Sequence, residues 1–103
     1  MKRVEFKLEY QCFPLWIYDE NGILIQNDLV DEIADHLDLE QSLITLQREF
    51  DRLFLDDGIE FRYQGFKNDE EKNQFLSKAN ILSSVIKDYL IDKYEYVDLI
   101  GIE

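Results

Sequence analysis

Apolar residues occupy every second position at the start of the chain. Val4, Phe6, Leu8, Tyr10 and Cys12 alternate with Glu5, Lys7, Glu9 and Gln11, so residues 4–12 are predicted to form a half-buried strand with one wet face. Pro14 interrupts the ladder, and Leu15-Trp16-Ile17-Tyr18 resumes as a short strand. Asp19-Glu20-Asn21-Gly22 supplies a turn, because Asn and Gly tolerate positive φ, and Ile23-Leu24-Ile25 is predicted to return antiparallel.

From Asp28 the period changes. At 100° per residue, Leu29, Val30, Ile33, Ala34 and Leu37 share one side of a helix, and Asp28, Asp31, Glu32, Asp35 and Asp38 share the other. Asn27 or Asp28 is the expected N-cap, and the early acids suit the positive end of the helix dipole. Asp38 is expected to cap a second helix, with Gln41 three residues on. That helix carries Leu39, Leu43, Leu46, Phe50, Leu53 and Phe54 on one stripe and is expected to end near Asp56-Asp57-Gly58. Ile59, Phe61 and Tyr63 read as another short strand. Asn68, with Glu71 at the capping-box position, opens a third helix whose apolar face is Phe75, Ala79, Leu82, Val85, Ile86, Tyr89 and Leu90 and which runs to about residue 93. A final strand is expected between Tyr94 and Glu103. Together these predict an α+β fold: a small antiparallel sheet, made of the N-terminal hairpin and one or two later strands, packed against about three helices.

Composition narrows the class. A chain of 103 residues with 46% hydrophobic residues is expected to be one globular domain spanning residues 1–103. The N-terminus lacks the apolar run of a signal peptide, and no stretch approaches the roughly 18 apolar residues of a membrane span. A cytosolic protein is therefore expected. Cys12 is the only cysteine, which removes any intrachain disulfide, and its place on the apolar strand phase predicts a buried core thiol.

Charge changes the picture most. Eleven Lys and Arg stand against 23 Asp and Glu, a formal charge of −12, which repels nucleic acid and anionic membranes and attracts cationic surfaces. Residues 28–57 hold ten acids and two basic residues, net −8. Like charges at i,i+3 and i,i+4 each cost a few tenths of a kcal/mol on a helix, so an unmixed acidic face reads as an electrostatic docking surface rather than ordinary solvation. Trp16 and Tyr18 in the first hairpin, with Tyr10 and Tyr63, are candidate interface anchors, since Trp and Tyr are frequent at binding hot spots.

Catalytic constellations are not evident. Residues 19–31 resemble a calcium loop only in composition, because Leu24 and Val30 stand where Gly and a bidentate acid are required. Asp31, Asp35 and His36 are a weak metal set with one imidazole. There is no Gly-rich phosphate loop and no His-backed nucleophile, so neither an enzyme nor a cofactor or metal is expected.

The acids Asp28, Asp31, Glu32, Asp35 and Asp38, with the strand segment Glu9-Tyr10-Gln11-Cys12-Phe13-Pro14-Leu15-Trp16, resemble in general plan the immunity proteins that bacteria encode beside polymorphic or contact-dependent toxins. That resemblance implies an inhibitor that binds a cognate basic toxin domain, a nuclease above all, and covers its active or substrate-binding surface. Its partner-binding residues would be the five acids with Trp16 and Tyr18, in a monomer or weak homodimer. Two other classes share the charge: a mimic of DNA that inhibits a nucleic-acid enzyme, and a structural or regulatory subunit.

Overall fold

Inward-facing Val4 and Phe6 set the register of the main sheet. In the computed structural model, which describes residues 1–56 and 58–100, β1 (Lys2–Phe6) pairs antiparallel with β2 (Leu15–Tyr18), Val4 opposite Ile17 and Phe6 opposite Leu15. All four of these side chains are buried. The Asp19 turn forms as expected: its carboxylate accepts from the Asn21 and Ile23 amides at 2.8 and 2.9 Å, and Gly22 takes a φ of +82°. β3 (Leu24–Gln26) then returns antiparallel to β2.

β1 is shorter than its alternation predicts. Residues 7–14 leave the ladder and loop past the end of the first α-helix, where the Gln47 side chain donates to the Glu9 carbonyl at 2.8 Å. Gln11 adopts a φ of +57°, and its amide donates to the Asp51 carboxylate at 2.8 Å. Tyr10 therefore packs on Phe54 and Phe61, and Cys12 sits half-buried in a turn rather than in the core as predicted. Asn27 holds the far end of this loop, accepting from the Phe13 amide and donating to the Leu15 carbonyl.

Residues 28–36 form no α-helix. A single 3₁₀ turn (Asp31–Ile33) buries Val30 and Ile33 and leaves Ala34 and Leu37 exposed. Of the three α-helices expected, two are present among the described residues. α1 (Leu37–Asp51) begins at an N-cap His36 with no side-chain cap, so Asp38 lies inside the first turn and does not cap it. α1 buries Leu43, Leu46 and Phe50 as its stripe predicts. It stops at Arg52 instead of near Gly58, because Phe54 enters β4 (Phe54–Asp56), which pairs antiparallel with β5 (Phe61–Tyr63). Phe54 there stacks on Phe61 at 5.5 Å and meets Phe50 edge-on at 5.3 Å. Of the expected helix end, Asp57 lies outside the described residues.

α2 (Asp69–Leu90) opens at Asn68 as predicted, the Glu71 amide donating to the Asn68 side chain at 2.8 Å. β6 (Tyr94–Asp98) follows, and the last positions of the predicted strand, 101–103, lie outside the described residues. The sheet order is β3-β2-β1-β6, and β6 runs parallel to β1, so the sheet is mixed rather than antiparallel. Val4 faces Tyr96, which puts Tyr94, Tyr96 and Asp98 on the helix-covered side. There the buried Ser83 of α2 donates to Asp98 at 2.7 Å and lies 2.8 Å from the Tyr96 hydroxyl.

Candidate functional site

The acidic connection into α1 is built by local bonds and by one tie to the sheet. Asp28 accepts from its neighbour's amide, Leu29, at 2.7 Å, and the Ala34 amide closes the 3₁₀ turn on the Asp31 carbonyl. Glu32 is half-buried and accepts from the Tyr94 hydroxyl at 2.9 Å. Burial, that bond and the charges of Glu32 and Asp31 push the Tyr94 hydroxyl up to about 12. Glu32 thus fastens the connection to β6. Asp28, Asp31, Asp35 and Asp38 are exposed, and among the described residues no Lys or Arg forms an ion pair with any of the four. They do not form the aligned helical face that their spacing predicts: Asp35 and Asp38 flank the break between turn and helix, and Asp31 lies near Tyr94.

Asp35 and Asp38 border a hollow that they share with His36, Leu37, Leu39, Val85 and Tyr89, the His36 ring lying 4.6 Å from that of Tyr89. Leu39 and Val85 also line a longer apolar groove between α1 and α2, of about 530 Å³, with Leu46, Ile81 and Leu82. The two hollows therefore adjoin. At the far end the Lys78 ammonium and Glu49 pair at 3.1 Å. The groove was not foreseen in the sequence, which assigned Val85 and Tyr89 to the buried face of α2; both are exposed, and Ile81 is 66% exposed. One signal was available: Ile81 widens the apolar arc of α2 beyond what a single covered face requires.

Trp16 and Tyr18 belong to a different surface. They alternate with the buried Leu15 and Ile17, so they project from the sheet face away from the helices. Trp16 donates its indole N–H to the Lys7 carbonyl at 3.0 Å, and the Lys7 ammonium stands 4.7 Å from the ring centre. The Arg3 guanidinium covers Tyr18 at 4.8 Å. These aromatics are already engaged by the chain's own cations, and the structure does not bring them together with Asp35 and Asp38.

Among the described residues, no three His, Cys, Asp or Glu side chains are grouped to hold a metal ion, so Asp31, Asp35 and His36 do not converge on one. No helix among them is long and apolar enough to cross a membrane. Compared with known proteins, residues 2–98 match the model of a family described as Serratia CdiI immunity protein-like, in keeping with the resemblance drawn from the acidic residues. No curated protein matches the chain.

Proposed function

The chain belongs to the Serratia CdiI immunity protein-like family, and on that premise we propose that it is an inhibitor, not an enzyme, that binds and neutralises a cognate toxin domain. The toxin surface it covers is basic, and a nuclease supplies such a surface, since a protein that grips phosphates must present Lys and Arg. The observation that carries this reading is the exposure of Asp28, Asp31, Asp35 and Asp38 with no ion pair to a Lys or Arg among the described residues, in a chain of net charge −12. Carboxylates left unpaired on the surface attract cations at long range and can occupy Lys and Arg as a nucleic-acid backbone would, which blocks substrate by occlusion. Docking is assigned to the helical side of the molecule, and Trp16 and Tyr18, on the opposite face of the sheet, take no part in it.

The test is kinetic. Protein carrying Asp31→Lys and Asp35→Lys is mixed with its cognate toxin domain, and association is followed by stopped flow across a range of salt concentrations. Charge steering changes on-rates by about 10- to 1000-fold, so a drop of roughly tenfold at low salt and a shallower salt dependence are expected. An unchanged on-rate and unchanged protection would remove these acids from the mechanism.

A further inference from the structure

We infer that the groove between α1 and α2 seats an amphipathic helix of the toxin domain, apolar along the face it buries and carrying Lys or Arg at the end that meets Asp35 and Asp38. This rests on the toxin-binding reading and adds to it the place and the kind of segment bound. The groove, at about 530 Å³, falls within the roughly 300–1000 Å³ of binding clefts. Its walls keep Ile81 and Val85 in water, where the exposed face of a solvated helix would carry polar residues.

Charge gives the groove a direction. At one end the groove adjoins the hollow bordered by Asp35 and Asp38, which have no basic partner among the described residues, while at the other stand Glu49 and Lys78, already paired with each other. A cationic end is therefore favoured at the first and gains nothing at the second.

Backbone chemistry selects a helix. Both walls are helices whose N–H and C=O groups are already bonded internally along their length, so the groove offers an incoming chain side chains only. A strand laid there would press backbone groups against Leu39, Ile81 and Val85 and leave them without hydrogen-bond partners, which disfavours it. A helix brings its backbone bonds with it and presents apolar side chains at i, i+3, i+4 and i+7. From Leu39 to Glu49 the groove follows about 15 Å of α1, enough for roughly three turns of partner helix.

The experiment measures binding of the cognate toxin domain by calorimetry, with hydrogen exchange locating the protected segment on that domain. Ile81→Asp and Val85→Asp change exposed positions on the α2 wall, and Thr45→Arg adds bulk and positive charge at an exposed polar position on the α1 wall without touching the core. All three are expected to weaken binding by at least about 30-fold, the loss typical of an interface hot spot, while Ile59→Asp on the remote β4–β5 turn leaves it unchanged. Matching far-UV circular dichroism and urea midpoints confirm the fold of each variant. Protection is expected on one helix of the toxin domain. Groove variants that bind like wild type, or a loss at Ile59→Asp as large as theirs, would overturn the groove while leaving toxin binding intact. Protection confined to a strand or loop would overturn the helix. Wild-type protein that fails to bind at all would overturn the toxin-binding reading and this inference with it.

Discussion

Ser83→Ala is expected to destabilise the protein far more than the loss of one oxygen suggests. The Ser83 hydroxyl has one hydrogen, and it is given to the Asp98 carboxylate at 2.7 Å. The contact with Tyr96 at 2.8 Å must therefore run the other way, the phenol donating to Ser83. Alanine removes the acceptor of one bond and the donor of the other. A neutral bond contributes about 0.5–1.5 kcal/mol and one to a charged group about 1.5–3. Asp98 is exposed and regains water, which lowers its share, whereas the half-buried Tyr96 hydroxyl is left without its partner. A loss of about 2 kcal/mol follows, a large part of the ~5–15 kcal/mol that holds a domain of this size. It corresponds to a melting temperature lower by roughly 10 °C. Urea unfolding followed by circular dichroism gives the free energy directly. A double-mutant cycle with Tyr96→Phe isolates the shared bond, with a coupling above about 0.5 kcal/mol expected between touching residues. A loss below about 0.5 kcal/mol, or additive behaviour in the cycle, would refute the network. The consequence reaches the acidic connection, because β6 also carries Tyr94, the residue that holds Glu32.

Alkaline titration tests the same strand from another direction. Burial, foremost, and neighbouring carboxylates raise the ionisation of Tyr94 to about 12, and burial and the Asp98 charge raise that of Tyr96, against an ordinary value of 10.0. Between about pH 10 and 12 the folded chain thus holds protons that the unfolded chain has lost, so stability is full below pH 10 and falls as pH rises. Tyrosinate absorbance is expected to show two tyrosines ionising together with loss of the fold, and ionisation of all six by about pH 11 in a folded protein would contradict this. Asn27→Ala is expected to cost about 2 kcal/mol, since its amide bonds both the Phe13 backbone and the Leu15 carbonyl across the start of β2. A urea midpoint equal to wild type would show that the loop holds itself.

Elements set by neighbours in sequence were legible. The Asp19 turn follows from Asn and Gly, and α2 follows from an Asn68 cap and a regular apolar period. Where two local signals agreed, the structure overrode them only through distant partners. Alternation carried β1 to Cys12 on paper, but Gln47 and Asp51, some forty positions on, bind residues 9 and 11 and pull the loop out of the ladder. Leu53 and Phe54 fit the stripe of α1, yet Phe54 gains more from the rings of Phe50, Phe61 and Tyr63 in a hairpin than from another helical turn. The parallel direction of β6 is a property of how elements meet that no local pattern encodes, and of the groove the sequence carries only the extra apolar position Ile81 on α2.

The acidic stretch holds the more instructive error. Its spacing aligns Asp28, Asp31, Glu32, Asp35 and Asp38 on one side of a helix, and an aligned unmixed face was the reason to read it as a docking surface. Those neighbours repel at i,i+3 and i,i+4, Asp is a weak helix former, and no Lys or Arg occurs between residues 28 and 40 to offset either effect. The chain avoids that cost by not forming the helix. Burial of Val30 and Ile33 and the Tyr94–Glu32 bond are satisfied by one 3₁₀ turn, and α1 starts only at Leu37. The charges that suggested a docking surface also argue against the element that would have aligned them. What replaces alignment is position: the break between turn and helix leaves Asp35 and Asp38 together at a hollow that adjoins an apolar groove. On the proposed docking reading, acid beside exposed Ile81 and Val85 would discriminate among basic partners better than a uniform acidic face, because it requires a cation and an apolar surface at a fixed separation.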